Sequence, residues 1–176
     1  FAILLRSPWW YSLAIALVSF LVWGHHMYVS GTHSWMRLLF MLTTMCVSVP
    51  TGIKVFAWVA TIWGGKLRLN TPMLFALGAL VMFVFAGITG IMLSSVPVDV
   101  HVNNTYFVVG HFHYVLYGTV TMGMYAAFYH WFPKMTGRMY NEGLGKFHFW
   151  LAFIGTNINF LPMHPLGLQG MLRRVS

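Results

Sequence analysis

The chain has 176 residues, of which 59% are hydrophobic and only 7% are charged. Soluble domains carry about a quarter of their residues as charged side chains, so two acidic residues, Asp99 and Glu142, exclude a soluble surface of this size. The net charge of +8 comes from basic residues scattered between apolar segments, which excludes the clustered basic patch that nucleic-acid binding requires. We therefore predict an integral membrane protein that contacts membrane lipid and no nucleic acid.

Five segments are apolar enough over about 20 residues to cross a bilayer. They are Trp9–Val29, Trp35–Trp63, Met73–Leu93, Thr105–Phe132 and Phe147–Met163. Short polar connectors make successive helices antiparallel neighbours. We predict an all-α membrane protein, a polytopic transmembrane helix bundle with about five crossings, in which residues 1–176 form part of one domain. Because the chain begins at Phe1 and carries no signal peptide, we interpret it as an internal piece of a longer protein.

The basic residues of the connectors fall mostly on one side of the predicted bundle. That side has Arg6, Lys66, Arg68, Lys134, Arg138 and Lys146, and the other has Arg37, Arg173 and Arg174 with Asp99. Because cytoplasmic loops carry the excess of Lys and Arg, the first side is predicted to be cytoplasmic.

Two adjacent histidines, His25 and His26, stand at the outer end of the first crossing. Polar groups in lipid are costly, so each one inside a crossing is a functional hypothesis. Neighbouring helical residues lie about 100° apart, and the two rings can converge on one ion if the helix end relaxes. Imidazole suits copper, iron, zinc or nickel, so the pair alone does not select the metal.

Lys54 lies deep in the second crossing, and Thr51 is three residues earlier on the same helix face. Pro50 leaves one backbone carbonyl available to water or a hydroxyl. A lysine at this depth favours a role in proton transfer. The alternative is a lysine whose long side chain reaches the membrane surface.

His111 and His113 are separated by one residue in the fourth crossing. Positions two apart on a helix lie about 200° apart, so one metal cannot easily take both rings, whereas two cofactors on opposite sides can take one each. The alternative is a pair of packed, hydrogen-bonded histidines. His25, His26, His111 and His113 all fall in the predicted outer half of the membrane, and we predict that they serve one site.

Four segments together resemble subunit I of the heme–copper oxidases, the cytochrome c oxidase group, and particularly its cyanobacterial members. The segments are WGHHMYVSG, VPTGIKVFAW, NTYFVVGHFHYVLYG and GLQGMLRRVS. Their order and spacing agree with that subunit over essentially the whole chain. The resemblance implies a respiratory terminal oxidase that reduces dioxygen to water, with proton uptake and pumping and with electrons from cytochrome c.

The resemblance also implies a role for each site residue. His25 and His26 match two of the three copper ligands, while His111 and His113 match axial ligands of the high-spin and low-spin hemes, which are a-type. Thr51 and Lys54 match the lysine proton pathway, and Arg173 and Arg174 match the pair that binds heme propionates. The third copper histidine, the cross-linked tyrosine and the second low-spin ligand lie on earlier helices of the family, so we expect no activity from this piece alone.

One departure from the family concerns its magnesium site. Asn103 and Asn104 replace the usual His-Asp pair, and an uncharged amide is a poorer ligand. The expected partners are oxidase subunits II and III and cytochrome c or another small carrier. A quinol-fed oxidase is the alternative. The expected location is the bacterial plasma membrane or the cyanobacterial thylakoid.

Two other functions are weighed against an oxidase. A nitric oxide reductase shares the histidines but lacks the TGIK lysine of the family resembled here. A proton-coupled transporter or channel explains Lys54 but not four histidines at a spacing that suits two cofactors.

Overall fold

The computed structural model describes residues 8–174, so Arg6, placed above on the cytoplasmic side, lies outside the described residues. Within that range the chain is helical, and the predicted all-α fold is confirmed. The α-helices are α1 Pro8–Ser19, α2 Ser34–Ile62, α3 Thr71–Ser94, α4 Val96–Val102, α5 Tyr106–His113, α6 Met122–Thr136, α7 Glu142–Phe160 and α8 Met163–Leu168. A 3-10 helix spans Trp23–Met27, and a π-helical segment, Tyr114–Thr121, joins α5 to α6 without a break.

Among the described residues, α2 and α3 are the helices long and apolar enough to cross a membrane by length and composition. The first predicted crossing, Trp9–Val29, is not one continuous helix. It ends as an α-helix at Ser19 and resumes as the 3-10 helix. There the buried Gly24 approaches the ring of Phe40 so closely that a Cβ would overlap it. The predicted number of crossings stays a prediction.

Two predicted connectors are shorter than expected. The connector Ser94–Asn104 contains α4, which begins with Pro97 in its first turn, where a missing N–H costs nothing. The connector Pro133–Lys146 contracts because α6 accommodates Pro133 and ends before Gly137, whose φ of 68° is the left-handed conformation typical of helix ends. The next helix, α7, is capped by the Asn141 side chain, which accepts from the Leu144 N–H.

The chain divides into two compact units, and its prediction as a single domain stays a prediction. The first unit contains the residues up to Leu67 together with Thr89–Asn103. In it α1 packs along α2. The fully buried Tyr28 donates its hydroxyl hydrogen to the Ser94 carbonyl at 3.1 Å, which ties the segment after the 3-10 helix to the end of α3.

The second unit contains Arg68–Ile88 and the residues from Asn104 onward. Its core is formed by Phe75, Met82, Ala86, Tyr114, Met122 and Phe149. Gly118, in the π-helical segment, lies so close to Met82 that a Cβ would stand 2.9 Å from the methionine Cβ. The absence of a side chain therefore lets the π-helical segment pack directly on α3.

The first helical turn of α3 is joined to that of α7 by a charged hydrogen bond. The Glu142 carboxylate accepts from the Thr71 N–H at 2.7 Å, which satisfies one of the N–H groups that a helix start leaves without a partner. We expect Glu142→Ala to lower the stability of the assembled protein by about 1.5–3 kcal/mol. Thermal unfolding of the complex in detergent measures this effect.

Lys146→Ala is the matched control for this prediction. It removes only the exposed Glu142–Lys146 ion pair, whose atoms are 3.9 Å apart, and such pairs contribute about 0–1 kcal/mol. Equal losses in the two variants would show that the bond to Thr71 contributes nothing.

Candidate functional site

The adjacent histidines lie on the 3-10 helix, where their Nε2 atoms are 3.0 Å apart. The Thr44 hydroxyl donates to the Phe40 carbonyl at 2.6 Å and stands 3.1 Å from Nδ1 of His25. Since that hydroxyl has one hydrogen, Thr44 accepts from the His25 Nδ1–H. This tautomer places the lone pair of His25 on Nε2, the atom that faces His26.

The spacing of the two Nε2 atoms fits a shared metal ion. Two imidazole nitrogens bound to one ion at about 2.0–2.1 Å stand roughly 3.3 Å apart at a tetrahedral angle, close to the 3.0 Å observed between His25 and His26. No group of three or more His, Cys, Asp and Glu side chains that could hold a metal occurs within residues 8–174. His25 and His26 by themselves could supply no more than two protein ligands to a metal ion.

Asp99 is the acidic residue of the first unit, to which His25 and His26 also belong. It lies on α4, outside the predicted crossings, and is 5% exposed. Burial raises the pKa of its carboxyl, while the Asn103 side chain, donating at 3.0 Å, and the charge of His26 lower the pKa in part. Asp99 thus holds Asn103 and interacts with His26 through space.

In the second unit, His111 and His113 both lie on α5. Nδ1 of His113 donates to the Val109 carbonyl at 2.8 Å, so Nε2 carries the lone pair, the arrangement found in histidines that ligate metals. The His113 ring stacks on Phe160, with centroids 4.1 Å apart and planes at 14°. Orientation by a hydrogen bond and a stacked ring fits an axial heme ligand.

The helix changes its hydrogen bonding directly after this pair. The π-helical segment begins at Tyr114, and the Thr119 and Thr121 hydroxyls donate to carbonyls five residues back, at 3.1 and 3.2 Å. Segments of this kind occur frequently at functional sites. Sequence reasoning missed this feature, because a π-helical turn leaves no distinct pattern of apolar residues.

Lys54 and Thr51 are half-buried on α2, which continues past Pro50 without a break. Lys54 is eight residues before the end of α2 at Ile62, about 12 Å along the axis. Its Nζ donates to the Ser12 hydroxyl at 3.1 Å and lies 5.5 Å from the ring centroid of Trp58. Ser12, on α1, was missed by sequence reasoning, since nothing local relates it to a lysine 42 residues away.

The expected propionate-binding arginines follow the last helix. The Arg173 N–H donates to the Asn104 carbonyl at 2.9 Å, and Asn104 has a φ of 59°. Nε of Arg173 is buried and has no hydrogen-bond partner in the described part of the chain, whereas Arg174 is exposed. A buried guanidinium nitrogen that lacks an acceptor fits the binding of a carboxylate.

A comparison with known protein families identifies the family of this chain. The family described as "Cytochrome C and Quinol oxidase polypeptide I" matches residues 6–176. The chain belongs to this family. This match confirms the predicted membership of the heme–copper oxidase subunit I group, whose members are membrane proteins.

Similar proteins include cytochrome c oxidase subunit 1 of Synechocystis sp., 59% identical over 94% of this chain, and that of Thermostichus vulcanus, 60% identical over 94%. The subunit of Cereibacter sphaeroides is 51% identical over 92% of the chain. The chain spans about 30% of the length of these relatives. A solved heme-copper terminal oxidase dimer has a similar fold, with a TM-score of 0.78 and 24% identity over 88% of this chain and 31% of its own.

Proposed function

We propose that this chain is part of the catalytic subunit of a respiratory terminal oxidase that reduces dioxygen to water at a heme–copper centre. Proton uptake and proton pumping accompany the reaction, and cytochrome c supplies the electrons. The observation that carries the proposal is the convergence of the His25 and His26 Nε2 atoms, 3.0 Å apart, in a chain that belongs to this family.

Each histidine has one role in this proposal. His25 and His26 bind copper, His111 is the axial ligand of the high-spin heme, and His113 is an axial ligand of the low-spin heme. The hemes, of a-type, and the copper supply dioxygen binding and electron transfer when they are bound. Thr44 supports the copper site by accepting from Nδ1 of His25, and the Val109 carbonyl supports the heme site by accepting from Nδ1 of His113.

The arginines and the Lys54–Thr51 pair have the remaining roles, which are propionate binding and proton transfer. Arg173 and Arg174 bind heme propionates, for which the buried Nε of Arg173 is suited. Lys54 and Thr51 hold and move protons along α2. The Ser12 hydroxyl, 3.1 Å from the lysine Nζ, accepts from the charged form of Lys54 and so gives the proton on Nζ a defined position.

The electron donor and the partners that we propose are supported by the name of the relatives, cytochrome c oxidase subunit 1. We propose oxidase subunits II and III as partners, cytochrome c or another small carrier as donor, and the bacterial plasma membrane or the cyanobacterial thylakoid as location. The uncharged amides of Asn103 and Asn104 are poorer magnesium ligands than the usual His-Asp pair, which keeps a quinol-fed oxidase as the alternative. Rapid mixing of the oxidised complex with reduced cytochrome c or with quinol, one donor at a time, shows which of them reduces the complex.

A proton-coupled transporter or channel is the alternative from another class. It accounts for Lys54, but it gives no reason for two imidazole nitrogens at the spacing of ligands on one ion. The visible spectrum and copper content of the purified parent complex separate the classes. Two heme signals with copper support the oxidase, and a complex without heme would contradict it.

His111 and His113 offer the sharper test of the proposal. Because they lie on opposite sides of α5, we expect His113→Ala to remove the low-spin heme spectrum. His111→Ala should keep the low-spin spectrum and lose the carbon-monoxide-binding heme. Absorption spectra of the two purified complexes, with and without carbon monoxide, measure this. Loss of the same heme in both variants, or of neither, would refute the assignment.

A further inference from the structure

His164, on the short helix α8, is a buried histidine that the proposed reaction does not use. Its side chain is 6% exposed and lies between three aromatic rings. The rings of Phe85, Phe107 and Tyr114 stand nearly perpendicular to it, with centroids 5.2, 5.2 and 5.5 Å away. Edge-to-face contacts between aromatic rings are favourable, so these three rings hold the His164 ring in one orientation.

The His164 ring fills a notch in the surface of α5 that exists because residue 110 is a glycine. A Cβ built on Gly110 would stand 2.8 Å from Cε1 and 2.9 Å from Nδ1 of the His164 ring. Real Cβ atoms do not approach other atoms so closely. Even an alanine at position 110 therefore requires the ring or the helix to move.

The surface that His164 touches lies between the two histidines predicted to ligate heme. Phe107, Gly110 and Tyr114 are separated by three and four residues, so they form one stripe along the helical segment. At about 100° per residue, His111 lies on one flank of this stripe and His113 on the other. The contact with His164 therefore acts on the helix surface from which both rings diverge.

A second contact fixes α8 on α5. Gly167 approaches the backbone of Phe107 so closely that a Cβ would overlap it. Beyond α8, the Met171 carbonyl accepts from the Tyr106 N–H at 2.9 Å, next to the bond between Arg173 and Asn104. Backbone contacts thus hold the segment that carries His164 against the start of α5. They keep the His164 ring in the notch at Gly110.

Packing rather than hydrogen bonding accounts for the ring at this position. Neither ring nitrogen of His164 has a partner in hydrogen-bonding geometry among residues 8–174. The backbone of Phe160 and Leu161 is close enough to interact with the ring. Burying a polar group without a hydrogen-bond partner is unfavourable. The fit of the ring against Gly110 and its aromatic neighbours offsets that cost.

We propose that His164 is a positioning residue that sets the rotation of α5 about its axis and so aims His111 and His113. This role rests on the proposed function, in which both histidines ligate heme. At a radius of roughly 6 Å, a rotation of about 10° displaces a side-chain atom by roughly 1 Å. A displacement of that size lowers catalysis by up to about a hundredfold.

The test compares variants of the intact oxidase complex. Gly110→Ala places a methyl group against the His164 ring, and His164→Ala removes the ring. The double variant, Gly110→Ala with His164→Ala, relieves the overlap. Gly123→Ala is the matched control on the same continuous helical stretch, because a Cβ there meets nothing within 4 Å.

The main readout is the absorption and electron paramagnetic resonance spectrum of the low-spin heme, which reports the orientation of its axial ring independently of turnover. We expect Gly110→Ala to shift this spectrum and to lower turnover about tenfold to a hundredfold. His164→Ala should shift the spectrum to a smaller extent, the double variant should resemble His164→Ala rather than Gly110→Ala, and Gly123→Ala should leave the spectrum unchanged. If Gly110→Ala fails to assemble, assembly of the double variant supports the proposal.

Three results would overturn the positioning role. They are a wild-type spectrum in Gly110→Ala, a wild-type spectrum in His164→Ala, and a double variant as defective as Gly110→Ala. A parent complex that contains no heme would instead overturn the proposed function itself. Heme content measured on the wild-type complex before any variant keeps these two failures apart.

Discussion

Lys54→Met will leave the oxidase assembled with both hemes and copper but will nearly abolish its turnover. Methionine fills a similar volume, and the contacts of the Lys54 ammonium, with Ser12 and the Trp58 ring, involve none of the proposed metal ligands. Electrons do not accumulate at a buried centre unless protons compensate their charge, since the surrounding dielectric constant is low. Rapid-mixing spectroscopy should therefore show slow reduction of the high-spin heme and rapid reduction of the low-spin heme.

Lys66→Met is the matched control, because Lys66 is exposed in the connector after α2. It removes the same charge and should leave both rates unchanged. Rapid reduction of the high-spin heme in well-assembled Lys54→Met protein would end the interpretation of Lys54 as a proton carrier. Loss of heme with normal activity per intact complex would show that Lys54 has a structural role instead.

His25→Ala and His26→Ala will each remove most of the copper and leave the low-spin heme spectrum unchanged. Each change removes one of two Nε2 atoms that stand 3.0 Å apart, and adjacent histidines cannot both be axial ligands on one face of a porphyrin. The low-spin heme is assigned to His113, whose ring is held by Val109 and Phe160, so it should survive. Elemental analysis combined with visible spectroscopy on the purified complexes measures both quantities.

His101→Ala is the control for copper binding, since His101 is an exposed histidine on α4 and should retain full copper. Thr44→Ala should lower copper occupancy less than the histidine variants, because it removes only the acceptor that fixes the His25 tautomer. Full copper content in both His25→Ala and His26→Ala would contradict the assignment of the pair.

The fold class was predictable because it depends on local composition. A segment in lipid must form its own backbone hydrogen bonds, so a long apolar segment predicts a helix. The predicted segment Trp35–Trp63 differs from the observed α2 by only one residue at each end. The prediction was poorer where a short contact between distant residues sets the backbone. In the first predicted crossing, the α-helix ends at Ser19, shortly before Gly24 packs against the Phe40 ring. No pattern of residues within Trp9–Val29 indicates that contact.

The residue types of the site were predictable, whereas their supporting partners were not. Histidine and lysine are rare inside apolar segments, so His25, His26, Lys54, His111 and His113 stand out in the sequence. His164 was not singled out, although a histidine beside Pro165 and Gly167 at the end of an apolar segment is an available signal. The roles of all these residues stay predictions until the variants are measured.

The sequence by itself determined that this protein is helical, lies in a membrane and is a member of its family. The length of the apolar segments and the spacing of the motifs are local properties of the sequence, so no tertiary contact is needed to recognise them. Only the tertiary structure decided that the two Nε2 atoms of His25 and His26 converge and that Ser12 meets Lys54. It likewise decided that His164 occupies the notch at Gly110. Such contacts depend on how helices distant in sequence pack, and close packing at a glycine or a 3-10 turn is settled by the neighbouring helix rather than by local propensity.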